Sequence, residues 1–273
     1  MPADLSDVVL DVSKFILNCM PSPSPEKDWD INAAIAANLH VPGDFVPPSK
    51  DLREDWWSIG DQSVTGSCVG WGTGDGVLRW HFVKAGKLGT DESLSVRYLW
   101  MAAKETDSYT THATSFIEQD GTWPKAALDI ARKYGVVTDS ILPFETPAGS
   151  LVLYAGGSES TFYALASQRR IAGYFNLGTS LAIWRAWIAY NGPIVTRLIV
   201  DPAWDNATAT LGNLDTYDAA NARGGHCVAL VGYTPDRFIV RNSWGTSWGD
   251  QGFAYASNAY ASAAFVEAYG VVL

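Results

Sequence analysis

The sequence contains 273 residues, which is enough chain for one or two domains with a substantial hydrophobic core. Hydrophobic residues make up 47% and charged residues 18% of the chain, a composition that indicates a folded globular protein and excludes an intrinsically disordered one. The 29 acidic and 19 basic residues give a net charge of −10, which argues against nucleic acid as the main partner because a phosphate-binding surface needs a surplus of basic side chains.

No secretion signal or membrane anchor is evident in the sequence. Residues Met1 to Asp7 are acidic where a signal peptide would be basic, and no apolar run is long enough to span a bilayer. The three cysteines, Cys19, Cys68 and Cys227, are too few for a disulfide framework and are typical of free thiols in a reducing compartment. We therefore expect a cytoplasmic protein without a membrane partner, and signal-independent export is left open.

Residues 1–48 differ in pattern from the rest of the chain. Helical candidates from Asp7 to Leu17 and from Asp30 to Leu39 flank the helix-breaking run from Pro21 to Pro25. This region is predicted to be an N-terminal arm or a short pro-segment, and an ordinary part of the fold is the alternative.

After residue 48 the predicted elements change from mainly helical to mainly β. Apolar residues at helical spacing predict helices over the ranges 68–84, 94–104, 124–134, 160–171 and 180–190. Patterns of period two predict strands over the ranges 194–200, 226–233, 238–241 and 252–256. This order predicts an α+β fold with a mainly helical subdomain at 49–170, a mainly β subdomain at 171–273 and a cleft between them.

Three separated residues are candidates for nucleophilic catalysis. Cys68 follows a Gly-Ser turn at the start of a predicted helix, where the helix dipole and unpaired backbone N–H groups favour a thiolate. His226 begins a predicted strand and is the candidate base that would form an ion pair with this thiolate. Asn242 is the candidate amide that would accept the second ring N–H of the histidine and fix the orientation of the ring.

Two further residues complete the candidate site. Gln62 precedes Cys68 by six residues, so that its side-chain amide and the backbone N–H of Cys68 could together stabilise an oxyanion. Trp244 follows Asn242 by two residues and is expected to cover the histidine–asparagine hydrogen bond and exclude water from it. This chemistry requires no metal and no cofactor.

These segments resemble the papain family of cysteine proteases, in which Gln, Cys, His and Asn residues follow one another in this order. The interval of 16 residues from His226 to Asn242 agrees with the family, and the run from Asn242 to Gly249 is the most specific block. The resemblance covers about residues 49–256. It implies a papain-like fold with a helical left domain, an antiparallel β-barrel-like right domain and an active-site cleft between them. It also implies a cysteine peptidase that acts on a peptide or protein substrate through an acyl-enzyme intermediate.

The resemblance further implies residues that bind the substrate, among them Trp244 and Gly225. Asp120 and Gly121 correspond to the extended edge of the cleft, with a simple turn as the alternative. Arg197 aligns with the wall of the S2 pocket and would favour an acidic or polar P2 residue, with a solvated strand position as the alternative.

The chain departs from the family pattern in several places. Thr65 stands where the family often has a cysteine, so that a structural disulfide is absent, as in bacterial-type members, and Val69 replaces the usual tryptophan. The long helical pro-domain is also missing, so that only residues 1–48 could play its part. They would either lie across the cleft as an inhibitor or complete the sheet.

Endopeptidase activity is the expected function, and two alternatives remain open. The same residues could act as an amidase or acyltransferase on a non-protein substrate such as a cell-wall peptide. The chain could instead be a binding module or scaffold whose site is occluded by its own N-terminus. Of the remaining thiols, Cys227 is expected to face the core, because it follows His226 in a strand. Cys19 is expected to be an exposed or packed thiol, with a regulatory redox role as the alternative.

Overall fold

The computed structural model describes residues 12–39, 43, 45–106, 121–144 and 159–273. The α-helices of this part of the chain are α1 (Ile31–Ala36), α2 (Cys68–Gly70), α3 (Arg79–Lys84), α4 (Val96–Thr106), α5 (Pro124–Lys133), α6 (Glu159–Ala166), α7 (Leu181–Tyr190) and α8 (Asn258–Ala264). The strands are β1 (Lys50–Asp51), β2 (Gly173–Asn176), β3 (Ile194–Val200), β4 (Asn213–Leu214), β5 (Gly224–Tyr233), β6 (Arg237–Arg241), β7 (Phe253–Ser257) and β8 (Phe265–Val272). The α+β class predicted from the sequence is confirmed.

One continuous helix runs from Cys68 to Lys84 and packs against the sheet. Its middle turns, Trp71–Leu78, form a π-helix that joins α2 to α3. Two glycines in this stretch allow the close approach, since a Cβ atom at Gly72 would lie 2.8 Å from the Cys227 sulfur and one at Gly76 would lie 2.9 Å from the Cβ of Ala229. Gly72 and Gly76 disfavour a helix, but both lie where the helix contacts β5 and a side chain would not fit.

The strands form a single sheet in the order β2-β8-β3-β5-β6-β7-β4, and β1 also pairs with β5. The pairs are antiparallel except for β4 with β7, which are parallel. Within the described residues the two end strands, β2 and β4, do not pair with each other, so that the right domain contains an open mixed sheet. The antiparallel β-barrel-like right domain implied by the resemblance is therefore an open sheet with one parallel pair and not a closed barrel.

The sheet separates two hydrophobic cores. Alternate residues of β5 enter different cores, with Cys227 and Ala229 facing the helices α4 and α5, and Val228 and Leu230 facing α7 and α8 on the other side. This alternation agrees with the predicted core position of Cys227. The subdomain boundaries at residues 48 and 170 remain a prediction.

A buried ion group ties the central helix to the end of β6. The carboxylate of Asp75 pairs with Arg79 at 3.2 Å and also with Arg241. The Arg241 guanidinium donates further hydrogen bonds to the carbonyls of Trp57 and Ser58, at 2.9 and 2.6 Å. Because Arg241 directly precedes Asn242, these contacts fix the strand end that carries the candidate orienting amide.

The described part of the N-terminal region is held firmly against the rest of the fold. The buried carboxylate of Asp28 pairs with Lys125 and accepts hydrogen bonds from the Asn176 amide and the Tyr269 hydroxyl, at 3.3 and 3.2 Å. The predicted first helix lies partly outside the described residues, and its described end contains a single 3-10 turn, Val12–Lys14. Among the described helices, none combines the length and the apolar character that crossing a bilayer requires.

Candidate active site

Cys68 lies at the start of the helix that runs through the middle of the molecule. It is the first residue of α2 and its side chain is fully buried. The turn before it is held by Thr65, whose hydroxyl donates to the Gln62 carbonyl at 2.6 Å and is hydrogen-bonded to the Ser67 hydroxyl at 2.7 Å. The first N–H groups of a helix have no partner within it, so that they place positive partial charge beside the sulfur.

His226 is oriented by Asn242. The two side chains are hydrogen-bonded through His226 Nε2 and Asn242 Oδ1 at 2.8 Å, and both are buried. Because the amide oxygen accepts the hydrogen bond, Nε2 carries the proton. The second ring nitrogen, Nδ1, is buried and has no hydrogen-bond partner in the structure. The ring lies close enough to Cys68 to oppose, in part, the rise in the pKa of its thiol. Nδ1 is therefore free to exchange a proton at the sulfur.

Aromatic side chains cover the histidine–asparagine pair. The ring of Trp244 lies 5.0 Å from that of His226, between centroids, and Trp204 approaches the imidazole edge-on at 5.6 Å. Trp248 stacks on Trp204 at 4.9 Å. Exclusion of water strengthens the hydrogen bond that fixes the histidine, which is the arrangement predicted for Trp244.

Gln62 is fixed with its amide nitrogen on the side of the Cys68 turn. Its Oε1 accepts a hydrogen bond from the Ser243 hydroxyl at 2.8 Å, and its Nε2 donates to the Thr65 carbonyl at 3.1 Å. The backbone N–H of Gln62 also donates to the Ser243 carbonyl at 2.8 Å. An amide nitrogen has two hydrogens, so that one remains to stabilise an oxyanion beside Cys68.

The cleft beside these residues is occupied by the chain's own segment Leu17–Met20. The backbone N–H of Cys19 donates to the Gly225 carbonyl at 2.9 Å, which adds the segment to the edge of β5. A Cβ atom at Gly225 would lie 2.0 Å from the Cys19 carbonyl oxygen, and one at Gly121 would lie 2.2 Å from the Asn18 carbonyl oxygen. Both glycines are thus required for an extended backbone to lie between them.

Arg197 lies on β3 beside the same segment. Its Nε donates to the Cys19 carbonyl at 2.9 Å, and it faces the carboxylate of Glu267 on β8 at 4.0 Å. Glu267 in turn accepts a hydrogen bond from the backbone N–H of Ser22 at 3.0 Å. Arg197 is therefore a cleft-facing residue whose charge is opposed by a neighbouring carboxylate.

The occupied cleft changes the acidity of the nucleophile. The hydrogen-bonding interaction with the Cys19 thiol, followed by burial, raises the pKa of Cys68 well above its ordinary value, and the opposing influence of His226 is smaller. The raised pKa disfavours the thiolate expected from the sequence while the Cys19 thiol lies beside Cys68.

The structure brings together Cys68, His226, Asn242, Gln62 and Trp244, and their roles in catalysis remain predictions. Gly121, Gly225 and Arg197 line the adjacent cleft, whereas Asp120 lies outside the described residues.

Sequence reasoning missed three residues at the site, namely Trp204, Glu267 and Phe15 of the N-terminal region. Phe15 stacks on Trp244 with centroids 4.3 Å apart and nearly parallel planes. No local motif marks any of them, since each reaches the site only through the tertiary fold.

The model of the family described as papain family cysteine protease matches residues 46–270. Digestive cysteine proteinase 1 of Homarus americanus is 28% identical over 234 residues, which cover 77% of this chain and 62% of that protein. Papain of Carica papaya is 27% identical over 136 residues, which cover 49% of this chain and 36% of papain. The chain therefore spans between about one third and two thirds of the length of these two curated relatives.

Solved structures support the same fold. The cysteine protease xylellain from Xylella fastidiosa superposes with a TM-score of 0.77 at 19% identity, covering 95% of this chain and 96% of that one. The proCathepsin B S9 of Trypanosoma congolense superposes with a TM-score of 0.70 at 16% identity, covering 95% and 87% of the two chains. At these identities the likeness establishes the fold, whereas the family match extends over most of the sequence. The chain belongs to the papain family of cysteine proteases.

Proposed function

We propose that the protein is a cysteine peptidase that hydrolyses peptide bonds through Cys68. The observation that carries this proposal is the 2.8 Å hydrogen bond from His226 Nε2 to Asn242, which leaves Nδ1 for the thiol at the helix start. A buried cysteine, a histidine in a fixed orientation and an adjacent amide donor are the groups that acyl transfer requires.

In the proposed reaction the Cys68 thiolate attacks the peptide carbonyl carbon, and the oxyanion accepts hydrogen bonds from Gln62 Nε2 and the Cys68 backbone N–H. The C–N bond then breaks, and His226 Nδ1 transfers its proton to the leaving amine. Water adds to the thioester with His226 as the general base, which releases the carboxylic acid and restores the thiol. Asn242 keeps the imidazole in one orientation throughout.

The most direct test is cleavage of an internally quenched peptide with both ends blocked, incubated with reduced full-length protein. Cleavage at internal bonds that is lost in Cys68→Ala supports an endopeptidase. Cleavage only of peptides with a free terminus contradicts the endopeptidase assignment. If neither wild type nor the cleft-opening variant Phe15→Ala cleaves any peptide, the peptidase assignment itself is contradicted.

We further propose that residues 12–28 hold the peptidase in a latent state. Support comes from the extended segment Leu17–Met20 between the glycines of the cleft and from the complete burial of Cys68 beneath it. The anchor at Asp28 and the stack of Phe15 on Trp244 secure the segment at its two ends.

The same occlusion favours one other function, a scaffold whose preserved site is never opened. Deletion of residues 1–48 alone distinguishes these functions poorly, because Val12, Phe15 and Ala34 contribute to a hydrophobic core. The two functions differ instead in whether weakening one cleft contact releases peptidase activity. A latent enzyme gains activity, whereas a scaffold remains inactive.

A further inference from the structure

All three cysteines of the chain belong to one buried cluster of side chains. Cys19 lies on the segment in the cleft, Cys68 at the helix start and Cys227 on β5, and each is at most 2% exposed. The Cys19 sulfur lies close enough to the thiols of both Cys68 and Cys227 for each of them to influence its pKa, and its own hydrogen bond is donated to the Met20 carbonyl at 3.9 Å. The only thiol of the N-terminal region is thus held against the nucleophile.

The backbone around Cys19 fixes its position. Its N–H donates to the Gly225 carbonyl and its own carbonyl accepts from Arg197 Nε, both at 2.9 Å. The next residue, Met20, donates to the Thr122 carbonyl at 3.0 Å. Because both walls of the cleft form hydrogen bonds with the segment, the docked segment holds the Cys19 sulfur at one fixed position near Cys68. The effective concentration of the Cys19 thiol at Cys68 is therefore high.

Cys68 is the better partner for Cys19 than Cys227 is. Cys227 lies in the central strand and is pressed against the helix at Gly72. Arg197 is its cross-strand neighbour, but the Arg197 guanidinium donates to the Cys19 carbonyl and faces the carboxylate of Glu267. Burial is the largest influence on Cys227 and raises the pKa of its thiol. Cys68 has His226 beside it and is the thiol that becomes reactive when the cleft opens.

We propose that Cys19 is a resolving thiol, which forms a disulfide with Cys68 after the nucleophile has been oxidised by a hydroperoxide. This disulfide locks the segment into the cleft and protects the nucleophile from irreversible oxidation. The inference rests on the proposed function only for the assignment of Cys68 as the reactive thiol.

The Cys68 thiolate attacks the peroxide, the O–O bond breaks, and one proton is taken up to give the sulfenic acid of Cys68 and one water or alcohol molecule. The Cys19 thiol then attacks the sulfenic sulfur, forms the S–S bond and releases water. A dithiol reductant reverses the lock by two exchange steps, in which it is itself oxidised to a disulfide.

The closed, reduced form resists the first step. Each of the three thiols is at most 2% exposed, so that a hydroperoxide cannot reach Cys68 under the segment. Burial also raises the pKa of Cys19 and Cys227, and contact with Cys19 together with burial raises that of Cys68, which disfavours the thiolate. Oxidation therefore begins when the segment has left the cleft, and the segment closes over a nucleophile that has already been modified.

Trypsin separates the three cysteines into three peptides, 15–27, 54–79 and 224–237. We would treat full-length protein with hydrogen peroxide, quench with acid, alkylate with N-ethylmaleimide and map the unreduced digest. The expected product is peptide 15–27 linked to peptide 54–79, two hydrogens lighter than the sum of the two. A dominant link to peptide 224–237 overturns the proposal, as does Cys68 sulfinic acid beside an unmodified Cys19.

Cys19→Ala and the matched control Cys227→Ala test protection. After peroxide and then dithiothreitol, wild type and Cys227→Ala should regain most of their iodoacetamide labelling at Cys68. Cys19→Ala should regain only about a tenth, because its sulfenic acid proceeds to the irreversible sulfinic form. Equal recovery in Cys19→Ala overturns the proposal. The linked peptide in wild type keeps the test valid if either variant fails to fold.

These readouts require no peptidase activity. A linked peptide in wild type, together with no peptide cleavage by either the reduced wild type or reduced Phe15→Ala, would retain the disulfide proposal and reject the proposed function. Peptide cleavage without the link would do the reverse.

Discussion

Replacement of Phe15 by alanine should open the cleft. The Phe15 ring is 5% exposed and stacks on Trp244 at 4.3 Å, so that the segment covers one of the tryptophans around His226. If residues 12–28 hold the enzyme latent, this stack is one of the contacts that stabilise the closed state. Its removal leaves Cys68, His226 and Asn242 in place.

The Phe15–Trp244 stack sets the free energy that the substitution removes from the closed state. Burial of a phenylalanine side chain is worth about 2 kcal/mol, and a favourable aromatic pair adds about 1 kcal/mol. Loss of about 3 kcal/mol from the closed state raises the ratio of open to closed molecules by roughly a hundredfold. Activity should rise by the same factor until the open form predominates.

The assay is kcat/KM on a doubly blocked peptide, with Phe45→Ala as the matched control. Phe45 is also in the N-terminal region, but its side chain is 72% exposed, so that the same substitution there should leave the rate unchanged. A folded Phe15→Ala protein with wild-type activity and wild-type labelling of Cys68 would refute the reasoning. Thermal unfolding of each variant identifies a loss of folding.

Three further predictions concern pH, stability and specificity. Contact with Cys19 and burial raise the pKa of Cys68 in the closed state. The closed state therefore binds the Cys68 proton more tightly than the open state does, so that low pH favours the closed state. As the pH rises above the pKa of Cys68 in the open form, the closed state is progressively lost. The rate of alkylation of Cys68 as a function of pH measures this change. Asp75→Ala should lower the stability to urea by about 3–5 kcal/mol, because it leaves two buried arginines without their carboxylate; an unchanged midpoint would contradict this. Arg197→Ala should reduce the cleavage of peptides with an acidic P2 residue relative to those with a basic one, whereas Glu267→Gln should do the opposite; identical P2 profiles would exclude both residues from the pocket.

Much of the fold could be predicted from the sequence because its signals are local. The period-two pattern of residues 194–200 matches β3, and the apolar spacing before Gly192 matches α7. The strand β8 and the helix α8 were missed. Their stretch, 258–272, is rich in alanine and has neither a clear alternation nor a breaker between helix and strand, so that only pairing with β3 and β2 defines the strand.

In the candidate site, too, residues with a local motif could be predicted and residues placed by tertiary contacts could not. Cys68, His226 and Asn242 could be identified as candidates because the spacing of their motifs is a property of the sequence itself. The position of Cys19 could not, since it depends on contacts with Gly225 and Arg197 that lie about two hundred residues away in sequence. The raised pKa of the nucleophile depends on the same tertiary contacts, and the thiolate expected from the sequence stays a prediction for the open cleft.

The central claim is that Cys68 is an activated nucleophile held under its own N-terminal segment. The most direct measurement is alkylation by iodoacetamide at about pH 5.5, where ordinary thiols label slowly and an ion-paired thiolate labels fast. Peptide mapping would follow wild type, Phe15→Ala and Phe15→Ala with His226→Ala. We expect slow labelling in wild type, fast labelling of Cys68 alone in Phe15→Ala, and loss of that fast labelling when His226 is also replaced. Labelling of Cys68 no faster than that of Cys227 in every folded protein would contradict the account.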